Sequence, residues 1–277
     1  MRFGTAGIPL SCANCSSLEG IKSVAGMGLN AFEFEFVHGC RMSEENARQA
    51  GSEARKDDVV LSAHASYYLN LLSPEKAKYE KTVGEIMRTA RVLQAAGGGR
   101  LVFHPGFYLG TPKQEAFKKM KNALKELIEG IEAEKLGLTR LSPETTGKPT
   151  AFGSFEELVE LSGELGWKKL AVTIDWAHVH ARDNGRIKGK ESYCKLLEEL
   201  ERHCGKTALR ELHCHMSSIR FSEKGELNHL TMDHDVPPFK PLAEALHEFG
   251  CDGTIISESP AIERDALRMK KIFESIN

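Results

Sequence analysis

The chain has 277 residues, of which 41% are hydrophobic and 27% charged, and a formal net charge of −2. That length suits one α/β barrel, commonly about 250 residues, or two ordinary domains, and the composition is ordinary for a soluble globular protein. No apolar run approaches the roughly 18 residues of a membrane span, MRFGTAGIPLS has no h-region long enough for a secretory leader, and the charge balance argues against a nucleic-acid binder driven by bulk basic charge, although not against local positive charge from bound metal ions.

Strand-like and amphipathic helical runs alternate from end to end. RFGTAG reads as a first strand and SSLEGIKSVAGMG as a helix with a serine N-cap. AFEFEFV alternates strictly, with Phe32, Phe34 and Phe36 on one face and Glu33 and Glu35 on the other. SEENARQAGSEARKD, VVLSAHA, PEKAKYEKTVGEIMRTARVLQAAG, RLVFH and PKQEAFKKMKNALKELIEGIEAEK continue as helix, strand, helix, strand, helix. GLTRLSPE, LAVTID, ELHCHM and GTIISE are the remaining strands. Helices follow them near SFEELVELSGELG, SYCKLLEELERHC, KPLAEALHEFG and AIERDALRMKKIFESI. Eight strand–helix units without a linker predict a single-domain (β/α)8 TIM barrel over residues 1–277. Residues 176–190 and 216–237 read as long loops on the carboxyl face, where function concentrates.

Six residues with metal-binding side chains sit at the ends of six of these strands: His64, His104, Glu144, Asp175, His215 and Glu258. Their spacings are 40, 40, 31, 40 and 43 residues. One strand, crossover helix and loops take roughly 30–40 residues, so this rhythm places one ligand type at the carboxyl end of each strand. In a barrel those ends converge on one mouth, and histidine with carboxylate suits zinc or manganese. A lone histidine there is more often a packing residue; six at corresponding positions need a counter-ion. His178, in DWAHVH, and His229, in EKGELNHL after Glu226 and Asn228, are candidates for a further site. His180 reads as an exposed loop residue, and His213 as a deeper barrel residue bonded to a neighbour. Glu33 and Glu35 face inward, either as direct metal ligands or as carboxylates hydrogen-bonded to the ligand histidines, and the second role is the one expected of Glu35, nearer the mouth.

Seven scattered cysteines, an odd number, predict reduced thiols in a cytoplasmic protein. Cys12 and Cys15 form a lone C-x-x-C, a weak signal without a second pair.

HASYYLNL, FHPG, ETTGK, IDWAHVHA and SESP, in this order and spacing, resemble the signature stretches of the endonuclease IV family, zinc-dependent apurinic/apyrimidinic endonucleases on a xylose-isomerase-like barrel. The likeness runs over essentially the whole chain and is closest to archaeal-type members. It implies about three zinc ions, manganese being the alternative metal. His64, His104 and Glu144 would hold the first. Glu144 would bridge to a second completed by Asp175, His215 and Glu258. His178 and His229 would hold the third with an acidic loop residue. The implied reaction is hydrolysis of the phosphodiester 5′ to an abasic site in damaged double-stranded DNA, with Glu144 central. Tyr67, Tyr68 and Arg41 would engage the DNA; the plainer reading of the tyrosines is packing under the next helix. No nucleotide cofactor and no membrane partner are expected.

Three stretches depart from the family pattern. Its usual Asp-x-His pair is absent, since position 227 is Leu and Glu226 is the nearest carboxylate. HMSSIR and AGIPLS replace the bacterial motifs of the seventh and first strands. The alternative is a sugar isomerase or epimerase of the same barrel superfamily, using one divalent ion on Glu144, Asp175, His215 and Glu258. Such an enzyme has no need of His64, His104, His178 or His229.

Overall fold

The alternation of AFEFE decides where its strand faces. Phe32 and Phe34 pack outward beneath the helices, both almost fully buried, while Glu33 and Glu35 point into the barrel. Burying one such phenylalanine contributes about 1.5–3 kcal/mol. The structure is a computed structural model and describes residues 1–12 and 14–276.

Eight parallel strands carry the same logic round a barrel: β1 (Arg2–Ala6), β2 (Ala31–Glu35), β3 (Val60–His64), β4 (Arg100–Phe103), β5 (Arg140–Pro143), β6 (Thr173–Asp175), β7 (Leu212–Met216) and β8 (Gly253–Ser257). The hydrogen-bonded order is β5-β4-β3-β2-β1-β8-β7-β6. Parallel bridges Leu141–Leu170 and Glu144–Thr173 join the two outer strands and close the ring. Gly4 is required where β1 meets β2, because a Cβ there would strike the Ala31 main chain.

The long helices are α1 (Ser17–Gly26), α2 (Glu44–Lys56), α3 (Lys76–Ala96), α4 (Lys113–Ala133), α5 (Phe155–Leu165), α6 (Lys190–Cys204), α7 (Phe239–Glu248) and α8 (Ile262–Glu274). Ser16 with Glu19 and Ser154 with Glu157 form complete capping boxes at α1 and α5, each cap contributing about 1 kcal/mol. No described helix is long and apolar enough to cross a membrane.

Both segments expected as long loops contain regular structure. Trp176–Arg182 is a short helix whose N-cap is Asp175. Ser218–Ser222 and Gly225–Leu230 form an antiparallel ribbon. His180, expected to be exposed, is buried on that short helix. Its Nδ1 accepts the Ile187 N–H at 3.3 Å and its ring packs edge-on against Phe221 of the ribbon. Burial and the neighbouring Lys188 push its pKa down to about 4, so it acts as a neutral packing residue.

The thiol expectation also needs correction. Cys12 and Cys15 are disulfide-bonded, with Cα atoms 5.4 Å apart, inside the range a disulfide spans. A turn closed by Cys15 N–H donating to Cys12 O brings them together. The other five cysteines are free.

Candidate metal centre

The carboxyl ends of β3 to β8 each deliver one metal-binding side chain to the mouth, and their donor atoms converge. His64, His104 and Glu144 form one group, and Glu144, Asp175, His215 and Glu258 another, with the donor atoms of each group within 4.8 Å of one another. Glu144 belongs to both. Its Oε2 lies 2.8 Å from His64 Nε2 and 3.0 Å from His104 Nε2. Its Oε1 lies 3.1 Å from His178 Nδ1 and 3.5 Å from His215 Nδ1. Asp175, His178, His229 and Glu258 make a third group.

These short distances are not all hydrogen bonds. Glu144 Oε1, Asp175 Oδ2, His104 Nε2, His215 Nδ1 and Glu226 Oε2 are buried atoms without a hydrogen-bond partner. Burying five such atoms unpaired is costly, and lone pairs that converge without protons between them are what a cation satisfies. The donor set, imidazole nitrogen with carboxylate oxygen, fits zinc or manganese.

The protons of the histidines are directed away from the cluster. His64 Nδ1 donates to Ala65 O at 2.8 Å, His178 Nδ1 to Thr145 O at 3.0 Å, and His229 Nδ1 to Glu258 O at 3.1 Å. A carbonyl can only accept, so in the neutral ring it is Nε2 that carries the electron pair a metal ion would take. His215 is turned the other way: its Nε2 lies 2.8 Å from Glu33 Oε1, and its Nδ1 faces Glu258 Oε1 at 2.9 Å.

Glu33, rather than Glu35, lies against the ligand histidine, as a 2.8 Å contact of its Oε1 with His215 Nε2. Fully buried, it accepts a hydrogen bond through its other oxygen from His213 Nε2 at 3.0 Å, which accounts for the deeper histidine of the HCH triplet. Glu35 lies one layer nearer the mouth, where its Oε1 finds no partner, and burial pushes its carboxyl up to about 8. Depth along the strand decided between them.

Without a metal, protons occupy this cluster. Burial opposes charge on His64, but Glu144 outweighs it and raises the imidazole to about 10. Burial likewise opposes charge on His178 and His215, yet Asp175 in one case and Glu258 in the other hold them well above their ordinary value. Burial would raise Glu144, but His104 and His215 keep it well below the usual carboxylate range. Asp175 is pushed up to about 6, chiefly by burial.

The ribbon explains how a chain without the Asp-x-His pair brings an acid and a histidine to one place. Arg220 pairs with Asn228, but Phe221 pairs with Glu226, so Leu227 is an extra residue in its strand. This bulge flips the alternation and turns Glu226 and His229, three apart, to the same side. Leu227 points outward, 57% exposed. Glu226 Oε2 then lies 2.9 Å from His178 Nε2, and His229 Nε2 lies 3.1 Å from it. Gly147 makes room, since a Cβ there would overlap the Glu226 carboxylate. Burial would raise Glu226, but His178 draws its pKa down to about 2.

Sequence reasoning missed two supports of the site. Thr145 Oγ1 accepts the Asp175 N–H at 2.9 Å, while its carbonyl fixes the His178 tautomer. Arg182, buried on the short helix, donates to the Lys148 and Ala151 carbonyls and so clamps the ETTGK loop. Its position four residues after His178 was the available signal, one that ordinary helical spacing obscures. Around the mouth, Val37, Tyr67, Tyr68, Phe107, Leu109 and Leu227 form an exposed apolar rim, Tyr67 45% and Tyr68 75% exposed. Neither tyrosine is packed under a helix. Arg41 is exposed on the loop after β2.

A closed parallel barrel with a buried histidine–carboxylate cluster at its carboxyl mouth defines the class of protein. The chain belongs to the xylose isomerase-like TIM barrel family, whose model matches residues 21–275. It is 35% identical over 99% of its length to an uncharacterized protein, MJ0133, of Methanocaldococcus jannaschii, 97% of which is covered. It is 27% identical to a probable endonuclease 4 of Aquifex aeolicus, covering 74% of this chain and 73% of that one. Among solved structures, a D-tagatose 3-epimerase-like protein superposes with a TM-score of 0.73 at 21% identity, covering 99% of this chain and 96% of the other. That likeness shows the fold alone.

Proposed function

We propose that the protein is a metal-dependent endonuclease that hydrolyses the phosphodiester 5′ to abasic sites in duplex DNA. One observation carries this reading. His64, His104, His178 and His229 are gathered beside the four residues that a one-metal sugar enzyme would need. Extra ligands are costly to cluster without extra cations. Similarity to proteins named probable endonuclease 4 supports the same reading.

In this function His64, His104 and Glu144 would hold one ion, and Glu144, Asp175, His215 and Glu258 a second. His178 and His229, with Glu226, would hold a third. Zinc suits all three sets. Divalent ions bound there would neutralise the phosphodiester and lower the pKa of an attacking water. Glu144 lies between the two main ligand sets and sets their separation. Glu33 and the Ala65, Thr145 and Glu258 carbonyls fix ring orientations, so the donor atoms need no rearrangement when substrate arrives. Tyr67, Tyr68 and Leu227 stand on the rim, where aromatic and apolar side chains fill the gap left by a missing base. Arg41 supplies a phosphate contact. An abasic nucleotide leaves the stack more easily than a paired one, which favours its entry into the recessed mouth.

The experiment is incubation with abasic and undamaged duplexes, with and without chelator. Chelator-sensitive cleavage confined to the abasic duplex is the expected result. A second reading is favoured by the single grouping of Glu144, Asp175, His215 and Glu258, the donor set of a one-ion sugar isomerase or epimerase. Glu144 and Glu258 would then exchange a proton at a sugar carbon. Inactivity on abasic DNA together with turnover of a ketose panel would establish that alternative.

A further inference from the structure

A second cavity, of about 620 Å³, opens at the amino-terminal end of the barrel, opposite the metal-ligand cluster. Arg100 and Arg140 line it and are register partners on β4 and β5. Neighbours in register present their side chains side by side, and two like charges so placed repel. Glu211 serves the two unequally. Its carboxylate accepts from Arg140 Nη1 at 2.6 Å and from Trp167 Nε1 at 3.1 Å. Arg100 Nη2 instead donates to the Glu211 main-chain oxygen at 2.6 Å and stands 3.9 Å from the carboxylate.

Two further cations, Arg55 and Lys168, line the cavity, and neither has an ion-pair partner among the described residues. The other acid in the lining, Asp58, is taken by Arg2 at 3.0 Å. In a chain whose net charge is −2, this is a local excess of positive charge. Arg100 is the most enclosed of these cations, its side chain 13% exposed. Burial and Arg140 together push its pKa down to about 9. A guanidinium keeps its proton in proteins, so this charge is relieved by negative charge nearby, which Glu211 supplies only at 3.9 Å and a bound oxyanion would supplement.

We propose that this basal cavity binds a small, multiply charged oxyanion, phosphate or carboxylate, with Arg100, Arg55 and Lys168 as its donors. Its volume suits a small organic phosphate or acid. Guanidinium groups bind both oxyanions through paired N–H donors. The site is independent of the chemistry at the mouth.

Trp167 is a built-in reporter, since Arg100 lies over its ring at 5.6 Å. Sulfate, inorganic phosphate and succinate would be titrated into metal-loaded protein at constant ionic strength, following tryptophan fluorescence. The comparison is the Arg55→Gln/Lys168→Gln double variant, whose altered side chains are exposed and whose folding is checked by its melting temperature without anion. A saturable response is expected in the parent, weakened at least about tenfold in the double variant at unchanged metal content. Response to sulfate and phosphate alone assigns the phosphate class; response to succinate alone assigns the carboxylate class. No saturable response in the parent overturns the proposal. So does a response of equal affinity in the double variant, the pattern of an anion held at the mouth.

Discussion

The Nε2 atoms of His178 and His229 face each other at 3.1 Å, while the Nδ1 of each ring donates to a main-chain carbonyl. Two imidazole lone pairs do not rest at that separation unless a proton or a metal ion lies between them. Glu226 Oε2, 2.9 Å from His178 Nε2, adds a negative charge to the same spot. His229→Ala should therefore remove one metal equivalent and leave the Glu144-linked pair loaded. Cleavage should fall far more than stability, because the ribbon lies outside the main core. Unchanged elemental analysis would remove the third ion from the proposal.

Glu144 is shared by the His64–His104 group and the Asp175–His215–Glu258 group. Glu144→Gln would remove one negative charge from between the two proposed ion sites and should lower abasic-site cleavage at least about a hundredfold, on the scale of lost metal-site partners. Parent-like cleavage by this variant would rule out the shared role.

Glu33 lies below the ligand cluster with its Oε1 2.8 Å from His215 Nε2, placed to position that ring when a metal ion is bound. Glu33→Gln should weaken metal affinity about 10–100-fold, measured by competition with a chromophoric chelator. The fold should survive, because glutamine keeps the shape and one acceptor. Metal affinity equal to the parent's would make Glu33 a packing residue only.

Tyr67 is half exposed on the rim and edge-on to His104, ring centroids 5.7 Å apart. Tyr67→Ala should cost about 1–3 kcal/mol of abasic-DNA binding, the range for base stacking, with metal content unchanged. A lowered melting temperature with unaltered DNA affinity would show that the ring serves the fold instead.

The metal-free site should respond to pH in a defined direction. Glu35 and His64 have folded values raised to about 8 and about 10, above their ordinary 4.5 and 6.5. A group that binds its proton more tightly when folded contributes stability below its unfolded pKa, and loses it as pH rises through its folded one. Their windows overlap between about 6.5 and 8. Protein stripped with chelator should accordingly melt at falling temperature as pH is raised across that interval. Metal-loaded protein should not, because the ions replace the protons. A stripped protein whose melting temperature is flat or rising there would contradict this account.

Much of the molecule was legible in the chain. Period-two alternation in AFEFE, serine caps before amphipathic runs and the near-regular spacing of His64, His104, Glu144, Asp175, His215 and Glu258 depend on local geometry, which neighbouring residues determine. From these follow the eight strands, their parallel direction and the face on which the six side chains meet. What lay outside reach depends on contacts between distant segments. Glu33 rather than Glu35 meets His215 because the β1, β2 and β8 registers set the depth of each residue in the barrel. Glu226 and His229 turn the same way only because their strand bulges at Leu227 against Arg220 and Phe221, and Gly147 leaves the space. Arg100 and Arg140, 40 residues apart, become neighbours only when β4 pairs with β5. Short-range sterics write periodicity into a sequence, whereas the meeting of two charges or two lone pairs is decided when the barrel closes.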